Sequence, residues 1–358
     1  MGREVGTDAE LPIGSVCLEW EGKVLFRKLI TGLAILLVLA APVSGQSADL
    51  VGQAQREGQV SFYANMTAIE PILEAFKAKY GVEALYTRLS TTQFAPTVLT
   101  EHATGRNRGS VLQAPVPVLE ILKDAGALAA YDSPAAANYP EWSRDPDGMI
   151  QVFGIEYVAI IYNTNLVKPE DVPKSYMDLT DPRWRGKIVM PDPSVHATTI
   201  QWLVGLKEAN VFGSEEAWWA FVEGLAANEP MFVASFGPTP GPISSGEVAL
   251  GISMPKYIVT LAPAPLDWAR VKEPLFGTPR GIALAASAPE PNAARLFFDY
   301  WLSREAQEIL ARDVGEYVLH AGVYPPIDGI DQAEVLPLRT MSDQELEEWA
   351  QEFARIFR

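Results

Sequence analysis

The chain has 358 residues, 48% of them hydrophobic, with 28 Lys and Arg against 45 Asp and Glu for a net charge of −17. That balance excludes a protein that grips nucleic acid by displacing counterions from phosphates, and it opposes adhesion to an anionic membrane surface. An aromatic content of 10% excludes a disordered chain, and a single cysteine, Cys17, excludes a disulfide scaffold or a cysteine-rich metal site.

The first 23 residues carry five carboxylates and two basic side chains. Behind them, Arg27-Lys28 precedes the 13-residue apolar run Leu29–Ala41, which Pro42 stops. A helix of that length spans about 20 Å, short of the roughly 30 Å hydrocarbon core. A basic pair, a short apolar stretch and the small-residue exit Val43–Ala48 predict a secretory signal rather than a membrane anchor. Translation is expected to begin near Val24 and cleavage to fall near Ala48, leaving a periplasmic mature chain without cysteine and without stable membrane insertion.

Strands and helices then alternate. Val60–Tyr63 is a short apolar strand. Ile69, Ile72, Leu73, Phe76 and Tyr80 keep the spacing of a one-sided helix, with Pro71 in its first turn and Gly81 at its stop. Val82–Tyr86 predicts the next strand, Phe94–Thr104 a helix, Gly109–Leu112 a strand and Val118–Asp124 a third helix. Gly154–Tyr162 is nearly all apolar, as a strand covered on both faces would be. Lys187–Met190 and Val248–Ile252 are further strands, and Thr198–Ala209 and Glu215–Leu225 are helices. In the second of these helices, Trp218 and Trp219 are read as packing residues.

The strand Gly281–Ala285 follows. Asn292 is expected to cap a helix carrying Leu296, Phe297 and Trp301, and Ser303 to start another. Ser342–Phe357 predicts an amphipathic acidic helix. The alternation means βαβ units and a mostly parallel sheet.

Catalytic signatures are absent. The sequence contains no nucleophile elbow, no HExxH, no P-loop and no dinucleotide fingerprint opening a helix. Asp145-Pro-Asp-Gly148 is a β-turn rather than a calcium loop. The three histidines, His102, His196 and His320, are scattered along the chain. An enzyme is not expected, nor is a cofactor or a bound metal.

Several segments together resemble the family 1 extracellular solute-binding proteins, the periplasmic receptors of ABC importers related to ferric-iron-binding proteins. They are Ile161-Tyr-Asn-Thr-Asn-Leu-Val167, the run Pro173–Ile188 containing Asp178-Leu and Trp184-Arg-Gly-Lys187, Pro191-Asp-Pro-Ser194, Ser245–Gly251, Gly277–Ala283 and Ala288–Tyr300. The resemblance implies an α/β, two-lobed periplasmic-binding-protein type II fold, with two α/β lobes joined by two crossing hinge strands. With the upstream extension and signal set at 1–48, it implies lobe 1 over 49–152 with a return segment over 277–322, lobe 2 over 153–276, and a C-terminal helical segment over 323–358 packing on lobe 2.

By the same resemblance, the protein is a monomer that captures a small solute between its lobes and delivers it to the transmembrane subunits of an ABC permease. Iron-binding relatives place a histidine or carboxylate after the first strand and adjacent tyrosines after the Ser245–Gly251 segment. Here the first loop is Tyr63-Ala-Asn-Met-Thr67, and Lys256 stands beside Tyr257, where a cation would repel Fe³⁺. An anionic or polar organic solute is therefore the expected ligand class, with ferric iron as the alternative. A secreted hydrolase or a sensor subunit is the alternative of another class.

Lys256 and Arg88 are expected to supply charge, and Ser90 and Thr91 hydroxyls at the carboxyl edge of the second strand, where open α/β sheets bind ligands. Thr67 and Ser194 precede helices whose N-terminal N–H groups favour anions. Asn65, Gln113, Tyr157, His196, Ser235 and Tyr257 complete the expected ligand-facing set.

Overall fold

The computed structural model describes residues 44–358, so Cys17 and the apolar run of the expected signal lie outside the described residues. Helix α1 (Ser44–Glu57) leads into β1 (Gln59–Ala64), α2 (Glu70–Tyr80), β2 (Glu83–Arg88) and α3 (Thr91–Ala103). Next come β3 (Val111–Pro115), α4 (Val116–Asp124), β4 (Leu128–Ala129) and the long β5 (Ile150–Asn163). The middle of the chain forms β6 (Ile188–Pro191), α5 (Ala197–Glu208), α6 (Glu215–Ala227), β7 (Met231–Val233), α7 (Pro240–Ser245) and β8 (Leu250–Ser253). Then follow α8 (Lys256–Thr260), β9 (Leu266–Trp268), β10 (Leu275–Ala285), α9 (Pro291–Trp301) and α10 (Arg304–Ile309). Two short strands, β11 (Tyr317–Val318) and β12 (Val335–Pro337), precede α11 (Asp343–Phe357).

Local signals set several of these boundaries. Gly81 ends α2 in the left-handed region at φ 69°, donating its N–H to the Lys77 carbonyl, and Ser342 with Glu345 closes a capping box on α11. Asn292 does not cap α9; it is the second residue of that helix. The acceptor comes instead from the Glu57 carboxylate at the end of α1, which takes the N–H groups of Asn292 and Ala293 at 3.1 and 2.7 Å.

The strand order is β2-β1-β3-β10-β5-β8-β6-β7. Strands β1, β2 and β3 run parallel on one side, and β6, β7 and β8 run parallel on the other. Between them β10 and β5 are antiparallel to each other and to their outer neighbours β3 and β8. The sheet is therefore mixed, which corrects the mostly parallel reading. Periodicity reports which face a strand buries, not the direction of the strand beside it.

Strand β5 belongs to both halves. Residues Ile150–Val158 pair with β10, and Ala159–Tyr162 pair with β8. Close approach of the two crossing strands requires Gly277, where a Cβ would lie 2.4 Å from the Glu156 carbonyl oxygen and from Tyr157 Cα.

Each half has its own core. On the first side, Phe62, Phe76, Phe297 and Trp301 form an aromatic cluster with no solvent exposure, while Phe94, Leu112 and Leu119 fill the opposite face of the same sheet. On the second side, Trp202, Trp218 and Phe221 bury against the far end of β5, and α11 covers them through Trp349 and Phe353. Trp219 packs on Trp349 at the edge of that layer.

Candidate ligand site

The carboxyl ends of both sets of parallel strands converge on the crossing strands. Strand β1 delivers Asn65, whose N–H donates to the Gln113 carbonyl at 3.2 Å, and β8 delivers Lys256 through the short turn at Met254 and Pro255. From the crossing strands themselves come Glu156 on β5 and Arg280 on β10. Glu316, just before β11, closes the group.

These side chains form a charge-balanced cluster. Glu156 Oε1 accepts from Lys256 Nζ at 2.5 Å and from Arg280 Nη2 at 2.8 Å. Glu316 lies 3.6 Å from Lys256 and 3.7 Å from Arg280, so two cations face two carboxylates. Arg280 and Glu316 are buried at 5% and 3% exposure. Burial alone would push the Glu156 carboxyl up, but Arg280 and Lys256 hold it well below the usual carboxylate range. For the two cations burial acts in the opposite direction, but Glu156 and Glu316 outweigh it, and Lys256 and Arg280 sit above their ordinary values.

The cluster continues into the first half. Arg280 Nη1 donates to Asn65 Oδ1 at 3.1 Å, and Asn65 Nδ2 donates to Thr91 Oγ1 at 3.3 Å. Thr91 is the first residue of α3 and is exposed. One chain of polar contacts thus runs from α3 across both crossing strands to α8.

Of the expected ligand-facing residues, the network ties together Asn65, Thr91 and Lys256. Tyr257 adjoins it: Lys256 Nζ lies 5.9 Å from its ring centroid, and burial pushes its phenol up against the opposing effect of Lys256. His196 is the N-cap of α5, its Nδ1 accepting the Thr199 N–H at 3.3 Å, and burial holds its imidazole below the usual value. Thr67 and Arg88 are exposed at the ends of β1 and β2, and Ser235 is half-buried after β7.

Other expected residues turn inward or toward their own loops. Ser90 stands at the N-cap of α3 but bonds Thr92 and Gln93, and Ser194 bonds the Asp192 carboxylate. Gln113 and Tyr157 are buried, and among the described residues neither amide atom of Gln113 nor the Tyr157 hydroxyl has a hydrogen-bond partner. Lys256, expected to supply charge, is paired with Glu156 and Glu316 in this structure, at 2.5 and 3.6 Å.

Glu156, Arg280 and Glu316 were not among the expected residues. Their signal was present: a lone carboxylate and a lone guanidinium in two otherwise apolar strands must find partners, since unpaired buried charge is costly. Among the described residues no group of three or more His, Cys, Asp or Glu side chains is placed to hold a metal ion.

A model of the bacterial extracellular solute-binding proteins matches residues 114–329, more than half of the chain, and the chain belongs to that family. By that family it is a periplasmic, two-lobed solute-binding protein. Among curated proteins it is 29% identical over 209 residues to the iron uptake protein A1 of Synechocystis sp., covering 52% of this chain and 54% of that one. The chain spans about half the length of several curated relatives it matches.

Among solved structures it is similar to iron-bound HitA from Pseudomonas aeruginosa, with a TM-score of 0.63 and 22% identity over 84% of this chain and 98% of that one. It is likewise similar to AfuA from Actinobacillus pleuropneumoniae with fructose-6-phosphate bound, at a TM-score of 0.62 and 20% identity over 84% and 97%. At such identities the likeness establishes the shared fold. Among helices of the described residues, none is long and apolar enough to cross a membrane.

Proposed function

We propose that the protein is the capture component of an ABC importer, a monomer that holds a small, oxygen-rich anionic solute between its lobes and hands it to the permease. Lobe 1 is taken as 49–152 with 277–322, and lobe 2 as 153–276, with 323–358 packed on it. The observation that carries the ligand reading is the charge balance of the Glu156–Arg280–Lys256–Glu316 cluster. With those charges cancelled, an incoming solute meets hydroxyls and helix N-termini, at Thr91 on α3 and at the start of α5. Such groups donate hydrogen bonds to oxyanions. They are poor ligands for bare Fe³⁺, which selects anionic oxygen donors.

Ferric iron is the second reading, and the names of the relatives favour it over the organic anion: an iron uptake protein among the curated matches and iron-bound HitA among the structures. Neutralisation of Lys256 also removes the repulsion that a free cation would exert on a metal beside Tyr257. A thermal-shift screen separates the two. Inorganic phosphate, phosphate monoesters, phosphonates and citrate are compared with Fe³⁺ alone, and a ligand at a hundred times its Kd adds about 2.7 kcal/mol of stability. Stabilisation by an iron-free oxyanion supports the first reading. Stabilisation by Fe³⁺ alone, with a visible tyrosinate absorption band, supports the second.

A further inference from the structure

The contact between Arg280, Asn65 and Thr91 has a direction. A guanidinium carries only donors, so the atom of Asn65 that meets Arg280 Nη1 at 3.1 Å is the carbonyl oxygen. The amide nitrogen must then face Thr91, and it donates to Thr91 Oγ1 at 3.3 Å. The Thr91 oxygen is therefore an acceptor in this contact, and its own proton points elsewhere. Thr91 opens α3, so no preceding helical turn offers a carbonyl to take that proton, and the described residues give its hydroxyl no other hydrogen bond. The side chain is exposed at the carboxyl edge of the first set of strands.

We infer that Asn65 is a positioning residue that holds the Thr91 hydroxyl as an outward hydrogen-bond donor, so that the site selects a solute presenting an acceptor oxygen there. This rests on the oxyanion reading above. The polarity originates at Arg280, whose charge is held in place by Glu156 at 2.8 Å. The Asn65 backbone is fixed at the same time by its N–H on the Gln113 carbonyl at 3.2 Å. A carboxylate at position 65 would satisfy Arg280 equally well but would accept from Thr91, turning its proton inward and leaving only lone pairs toward the solute. A solute group that donates, such as an ammonium, would gain what an oxyanion loses.

Two arms test the inference separately from the reading it rests on. Neutron diffraction on deuterium-exchanged crystals of the full chain locates the Thr91 hydroxyl deuteron without any ligand. A deuteron directed away from Asn65 is expected, and one lying between Thr91 and Asn65 overturns the relay. The second arm is a calorimetric cycle with inorganic phosphate as probe. Asn65→Asp and Thr91→Val are each expected to weaken binding about tenfold, Thr91→Ser to restore it, and Asn65→Asp to cost nothing further once Thr91 is valine. An equal loss from Asn65→Asp in both backgrounds is a plain charge effect and overturns the relay. A wild-type chain that takes no phosphate counts against phosphate as the solute, while the deuteron position still decides the relay.

Discussion

Lys256, the first residue of α8, reaches across to Glu156 in the crossing strand β5, with Nζ and Oε1 2.5 Å apart. The two residues are 100 positions apart in the chain, and Arg280 shares the same carboxylate oxygen at 2.8 Å. Lys256→Met therefore leaves two carboxylates facing one guanidinium. Breaking a buried pair costs about 3–5 kcal/mol, but one-fifth of the Lys256 and Glu156 side chains is exposed, so about 1–3 kcal/mol is expected here. Urea denaturation checks this, and combining Lys256→Met with Glu156→Gln should cost less than the sum of the two single changes.

Two groups at or near the site contribute to the pH response. Glu156 is held below its ordinary value of 4.5, so as acid is added the unfolded chain takes up the proton first. Its contribution is intact above about pH 4.5 and is lost as the pH falls further. His196, held below 6.5 by burial, acts in the same direction in a higher window, its contribution fading as the pH drops below 6.5. The melting temperature should thus decline in two steps between pH 7 and 3. His196→Asn, which keeps an N-cap acceptor for α5, should flatten the upper step, and Glu156→Gln the lower.

Gly277→Ala tests the crossing. The added Cβ would lie 2.4 Å from backbone atoms of Glu156 and Tyr157, contacts that no side-chain rotation relieves. Overpacking of this kind costs about 3 kcal/mol, and chemical denaturation should show it as a lowered midpoint.

Glu57 caps α9 from a distance, its carboxylate also accepting the Asn292 side-chain amide at 2.7 Å. Glu57→Ala leaves the N–H groups of Asn292 and Ala293 without their acceptor and should cost about 1–2 kcal/mol. Faster amide hydrogen exchange in the first turn of α9 would localise the loss there.

Phe353, with no solvent exposure, stacks on Trp349 at a centroid distance of 5.6 Å and anchors α11 to the second half. Phe353→Ala should cost about 3–5 kcal/mol, read from equilibrium unfolding.

The element pattern was legible because amphipathic spacing and breakers are local. The apolar run Gly154–Tyr162 marked β5 to within a few residues of its ends, and Pro71 and Gly81 bracketed α2. Pairing direction was not legible, since a strand such as β10 has the same composition whichever way its neighbour runs. The α9 cap was misplaced for a similar reason: its acceptor, Glu57, stands 235 residues before Asn292. At the site, Thr91 lay at the end of the second strand, where chain order locates it, while Asn65 and Lys256 were found by aligning their loops with the family's ligand positions. Glu156 and Arg280 sit inside strands, and their role depends on a contact 124 residues apart that no local window contains.

What the full chain binds when metal is withheld decides between the oxyanion and the iron reading. Calorimetric titration with inorganic phosphate, phosphate monoesters and citrate in rigorously iron-free buffer is the decisive measurement. A saturable one-to-one heat with at least one of these, lost in Thr91→Val, is the predicted result. Heat that develops only when Fe³⁺ is added, and persists in Thr91→Val, would contradict it.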